Sequence, residues 1–139
     1  MREESRYVLD DDYGNTRPTL TPAQIKQLTT EQNSALTEQV DYPQITADQN
    51  NFNLLEGVVH RLTSDASRTI TGFANVGPGL KVILNGGAQD LVLANNNVGS
   101  DAANRILSHT AANITLNPNE SALIFYDRTS TRVRTLGFV

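Results

Sequence analysis

From residue 52 onward the chain alternates short apolar runs with turn-forming residues. The runs span 52–55, 57–62, 68–73, 80–84, 91–94, 105–107, 114–116, 122–126 and 132–138. Many of their residues are β-branched. Several runs alternate apolar with polar, as in Ile70-Thr71-Gly72-Phe73, the mark of a strand with one buried face. Turns are expected at Gly77-Pro78-Gly79, Asn85-Gly86-Gly87, Asn95-Asn96-Asn97, Asn117-Pro118-Asn119 and 127–130, where Gly and Asn tolerate left-handed backbone and Pro fixes φ. Eight or nine short strands at this spacing predict an all-β fold. The expected architecture is an antiparallel β-sandwich, jelly-roll-like, with a barrel of the same strand count as the alternative.

The first fifty residues follow a different pattern. Residues 20–49 carry a weak repeat: Leu20-Thr21-Pro22-Ala23-Gln24, Leu28-Thr29-Thr30-Glu31-Gln32, Leu36-Thr37-Glu38-Gln39 and Ile45-Thr46-Ala47-Asp48-Gln49. In the first copy Thr21 suits an N-cap, Pro22 the first helical position and Gln24 the far side of a capping box. Leu20 and Ile25 would staple across that cap, so a short helix is expected over 22–28. A second start at Thr29 lacks a staple partner, because Asn33 stands where one should be. Ile25, Leu28, Leu36 and Val40 share a helical face only loosely, a stripe suited to a helix lying on another surface. Pro43 closes this region. Upstream, acidic groups broken by Arg, with Gly14 and Pro18, predict no packed element. The expected organisation is an extended N-terminal arm with one or two short helices over 1–50, and a β domain over 51–139. Tyr7, Val8, Leu9 and Tyr13 are the expected anchors of the arm.

Composition sharpens this division. Hydrophobic residues make up 38% of the chain, below the roughly 45–50% usual for globular proteins, and most of them lie after residue 51. A β domain that small buries little surface for its size, so self-association or docking would add the missing burial. The net charge is −4, and the eleven Lys and Arg are scattered, which argues against nucleic acid as a partner because phosphate binding needs a basic stripe. Without Cys there is no disulfide framework and no thiolate site. The N-terminus lacks an apolar signal core, and no window approaches the roughly 18 apolar residues of a membrane span. A soluble, non-secreted chain with no membrane partner is expected.

Candidate chemistry is sparse. His60 and His109 are the only histidines, and no HxH, HxxxH or HExxH spacing joins them. His60 is expected to face solvent or a subunit neighbour, and His109 to sit in a turn. Asp10-Asp11-Asp12 lacks the Gly and terminal Glu of a calcium loop. The Gly-rich turns precede no helix, so they form no phosphate cradle. No catalytic residue, cofactor or metal is therefore expected, and the chain is read as not an enzyme. The Ser/Asn-rich loops 95–101 and 108–113 could hydrogen-bond sugar hydroxyls, but with no Trp the case for a host glycan is weak. Arg105 is placed to form an ion pair with Asp101 or Asp127.

The segment 90–134 resembles a motif of structural proteins in the virions of tailed bacteriophages, including capsid decoration proteins and head, collar or tail fibre domains. The residues that carry the likeness are Leu91-Val92-Leu93-Ala94-Asn95, Gly99-Ser100-Asp101-Ala102-Ala103-Asn104-Arg105-Ile106, Ile114-Thr115-Leu116-Asn117-Pro118-Asn119-Glu120-Ser121 and Ala122-Leu123-Ile124-Phe125-Tyr126-Asp127. They cover about a third of the chain. Similar sequences often carry Trp between the last two arginines, where this chain has Val133. The resemblance implies a β module at the outer capsid surface, assembled in the host cytoplasm. The leading expectation is a capsid decoration or cement protein, a homo-oligomer and most simply a trimer, bound to the major capsid protein. Tyr7, Val8, Leu9, Tyr13, Leu20, Ile25 and Leu28 are its candidate contacts. A fibre module recognising host glycan, or a tail or collar adaptor, is the alternative.

Overall fold

Gln39 pairs with Val59, and Val59 with Val82, in parallel ladders. The computed structural model describes residues 21–27 and 38–138, which fall in two compact units divided between Leu36 and Thr37. In the second unit the strands are β1 (Gln39–Asp41), β2 (Phe52–Asn53), β3 (Val59–Leu62), β4 (Arg68–Ile70), β5 (Phe73–Ala74), β6 (Lys81–Asn85), β7 (Leu91–Leu93), β8 (Ile106–Leu107), β9 (Ile114–Leu116), β10 (Ser121–Asp127) and β11 (Arg132–Phe138). A 3₁₀ turn, Ala102–Asn104, precedes β8.

These strands stack coil upon coil. Along one side β1, β3 and β6 run parallel, at offsets of 20 and then 23 residues. On the other sides β2 lies parallel to β5, and β4 to β7, at offsets of 21 and 23. Isolated bridges from Ile45 to Ser64 and from Gln49 to Ile70 continue the same registration between corners. The third coil then meets antiparallel partners, β9 on β7 and β10 on β6. A β10–β11 hairpin and the parallel β8 complete a six-stranded sheet in the order β1-β3-β6-β10-β11-β8.

The fold is therefore all-β, as the sequence pattern implied, but its stacking is β-solenoid-like. The expected antiparallel jelly-roll sandwich gives way because several turn residues are corners of a coil and not hairpin tips. Asn51, Asn75 and Asn96 hold positive φ of 49°, 58° and 45°, a region Asn tolerates better than most residues. Each bends the chain into the next side of the coil. All nine expected strand runs contain strands, and the 68–73 run is split in two by Thr71-Gly72. The strand missed is β1. β1 falls within the stretch assigned above to the arm, and it pairs with β3 in the second of the two units.

Parallel registration aligns like with like inside the stack. Val40, His60, Ile83 and Ala122 form one inward row across four strands. Ile70, Leu93 and Ile114 form another, and Phe52 stands beside Phe73 with ring centroids 6.2 Å apart, edge to face. Leu62, Ile70, Ile83, Leu91, Leu93, Leu116 and Ile124 are wholly buried, each contributing roughly 1.5–3 kcal/mol by leaving water. Gly72 is dictated by close packing, because a Cβ there would lie 2.5 Å from Ser100 Oγ and closer still to the Asn104 carbonyl.

In the first unit the described helix covers 22–27. Its capping box forms as expected: Thr21 N–H donates to Gln24 Oε1 at 2.8 Å, and Gln24 N–H to Thr21 Oγ1 at 3.2 Å. The staple residue Leu20 and the second start at Thr29 lie outside the described residues.

Candidate functional site

Alternation along each strand turns one set of side chains inward and leaves the other on the outer face of the six-stranded sheet. Register aligns Val59, Val82 and Leu123 in one outward row across β3, β6 and β10. A second row joins Phe125, Arg134 and Leu107 across β10, β11 and β8. Leu123 is 41% exposed and Leu136 54%. The ladder shifts register between Leu123 and Ile124, and in that shift Leu136 faces no single partner across the hairpin. A groove of about 290 Å3 runs among Gly79, Leu80, Phe125, Tyr126 and Leu136. Leu80, at its edge, is 52% exposed.

Charged groups flank this apolar strip. On the β1 side, exposed Asp41 stands in register with Arg61, whose guanidinium donates to the Gly86 carbonyl at 2.8 Å. On the β10–β11 side, Asp127 accepts from Arg134 Nε at 2.7 Å, from Ser130 Oγ at 2.8 Å and from Thr129 N–H at 3.0 Å. The bonds from Ser130, Arg134 and Thr129 hold the Asp127 carboxyl at a pKa of about 2. The backbone bond two residues on is the one its turn position predicted. Arg105 makes neither expected ion pair. Its Nε donates to the Ser100 carbonyl at 3.0 Å, and Asp127 is taken by Arg134.

His60 departs furthest from expectation, since it is 0% exposed. Its Nε2 lies 3.1 Å from the Gly57 carbonyl and its Nδ1 2.6 Å from the Tyr42 hydroxyl, which accepts the Leu55 N–H at 2.9 Å. One arrangement satisfies all three contacts: a neutral imidazole donating from Nε2 and accepting the Tyr42 proton at Nδ1. Burial lowers the pKa of His60, with the nearby Lys81 charge acting the same way and the Gly57 carbonyl opposing. Burial raises that of Tyr42, against the Leu55 N–H. The signal was present in the sequence, because His60 shares its strand parity with Leu62, a core residue. His109 docks on Thr135, its N–H and Nδ1 lying 2.9 and 2.8 Å from Oγ1.

Residues of the 90–134 segment serve the stack itself. Ser100 Oγ accepts the Asn51 N–H at 2.8 Å and meets Thr71 Oγ1 at 2.7 Å. Asn51 Oδ1 accepts from Asp101 N–H and from Asn104 Nδ2, both at 2.9 Å. The 99–105 segment is thereby fastened across the first two coils. Glu120 closes the Asn117 turn by accepting the Asn117 N–H at 2.9 Å and its side-chain amide at 3.1 Å. Neither arrangement contains a nucleophile paired with a base.

Of the expected contact residues only Ile25 is described. It is 36% exposed on the 22–27 helix. Tyr7, Val8, Leu9, Tyr13, Leu20 and Leu28 lie outside the described residues, as does Asp10-Asp11-Asp12. The outer sheet face was not singled out in the sequence, although alternation in 121–127 and 132–138 already separates its outward residues from the core. Among the described residues no group of three or more His, Cys, Asp or Glu is placed to hold a metal, and no helix is long and apolar enough to cross a membrane. No protein-family model, curated protein or solved structure matches this chain.

Proposed function

We propose that this chain is a non-enzymatic structural protein of a bacteriophage virion, and that it decorates and stabilises the capsid as a homo-oligomer. The observation that carries the binding role is the outer sheet face, where Leu123 and Leu136 stand exposed beside the register shift of the β10–β11 ladder. Large exposed apolar patches mark interaction sites more often than they mark idle surface. The likeness of 90–134 to tailed-phage structural proteins supplies the virion context. The histidines, the commonest source of acid–base chemistry, are both engaged in packing contacts within the fold.

A protein that binds only the assembled shell stabilises it by mass action, through its own binding free energy. Linking several copies raises the effective concentration of each remaining contact. In this reading the segment before Thr37 supplies the capsid contacts, with Tyr7, Leu20 and Ile25 among them. The test is binding to purified capsids lacking this protein, comparing the full chain with a deletion of residues 1–36, which leaves the β unit complete. The full chain is expected to bind and to raise the temperature of capsid disruption, and the deletion to lose most of its affinity. Failure of the full chain to bind capsids rules out the decoration role.

A further inference from the structure

We propose that the outer face of the six-stranded sheet joins copies of this chain, the acidic β1 edge of one copy meeting the basic end of the β10–β11 hairpin of the next. The inference deepens the homo-oligomer of the proposed function by naming its contact surface, and it can fail without that function failing.

The face has the anatomy of a protein interface. Val59, Val82, Leu123, Phe125 and Leu136 supply an apolar centre, with Arg61 on β3 to one side of it and Arg134 beside Phe125 on the other. The β1 edge and the hairpin end differ in sign. Exposed Glu38 and Asp41 lie on the β1 edge, where Asp41 stands in register with Arg61. Arg128, Arg132 and Arg134 lie on the β10–β11 hairpin, where Arg134 pairs with Asp127. A face with an acidic edge and a basic hairpin end complements a second copy of itself better than it complements a partner of either single sign. Contact between these unlike regions is heterologous, and it closes into a ring when the rotation between copies allows. Turned towards the axis of such a ring, the apolar centres of the copies cover one another. The groove beside Leu136, about 290 Å3, is wide enough to receive a leucine or aromatic side chain from the neighbour.

The experiment measures the mass of the purified full chain by light scattering, with Leu136→Lys, Leu123→Lys, Asp41→Arg, Arg132→Glu and the double variant carrying both charge reversals. The wild type is expected to run at a multiple of its 15.2 kDa chain mass. Either lysine variant should weaken assembly about tenfold or more. Each single charge reversal should weaken it too, and the double reversal should restore it. Both leucines are exposed, so the lysine variants should keep the wild-type circular dichroism; two independent positions guard against misfolding at one. Thr115→Lys, exposed on the outer face of the three-stranded sheet β4-β7-β9, should leave assembly unchanged. A monomeric wild type overturns the proposal, and so do lysine variants that assemble as well as wild type. Capsid binding is scored separately: a monomer that still binds capsids removes this interface and leaves the virion role standing, whereas an oligomer that binds none does the reverse.

Discussion

At the scale of single residues, His60 and Gly72 show how tightly the coils are matched. His60 is held neutral by burial, so between its lowered folded pKa and the ordinary 6.5 the unfolded chain binds more protons than the folded one. Stability is therefore complete above about pH 6.5 and declines as the pH falls below it. Urea unfolding between pH 5 and 8 should show that decline, and His60→Gln should flatten it. Tyr42→Phe removes the hydroxyl that donates to Nδ1 and accepts from Leu55 N–H, at an expected cost of about 1–3 kcal/mol. Gly72→Ala acts through sterics alone. Its methyl would press on Ser100 and the Asn104 carbonyl, so a loss of about 1–3 kcal/mol is expected from the same unfolding measurement.

At the scale of elements, the strands were legible and their partners were not. Periodicity of two fixed the runs from 52 to 138, and Thr21-Pro22-Ala23-Gln24 fixed a helix start, because each is a local property of the backbone. Pairing is a property of residues some twenty positions apart. The offsets from Gln39 to Val59 and from Arg68 to Leu91 leave no mark in composition, since the coils share core parity but few identical residues. β1 was hidden for the same reason: three residues, Gln39–Asp41, become a strand only by lying beside β3. Asn85 shows a local motif gaining a non-local role. Asn85-Gly86 reads as a turn, yet Asn85 is fully buried, and its amide donates to the carbonyls of Gln89 at 2.7 Å and Leu116 at 2.8 Å. It thus ties β6 to β9. Asn85→Asp would turn a carboxylate towards those two carbonyls, costing about 3 kcal/mol at neutral pH. Protonation restores a donor, so the deficit relative to wild type should shrink in acid, measured by urea midpoints at pH 7 and pH 5.

At the scale of the whole molecule, the reading of the candidate site was partial. Placing the contacts in the leading segment rested on amphipathic residues there, whereas the outer sheet face emerged only once register put Val59, Val82 and Leu123 side by side. The stack itself is finished on one side and unfinished on the other. Antiparallel β9 and β10 close it beyond the third coil, while β1 and β2 each have a strand neighbour on one side only among the described residues. Growth is therefore directional, like a ladder with a welded top rung. A tandem duplication of residues 59–81 should be accepted as an added rung, lengthening the particle seen by small-angle scattering by about 4.8 Å with its melting temperature kept. The same insert placed at Asn119, inside the tight turn between β9 and β10, should lower the melting temperature instead. Such a scaffold sets reach by the number of its coils, and a lineage could adjust the height of whatever it presents without redesigning either end.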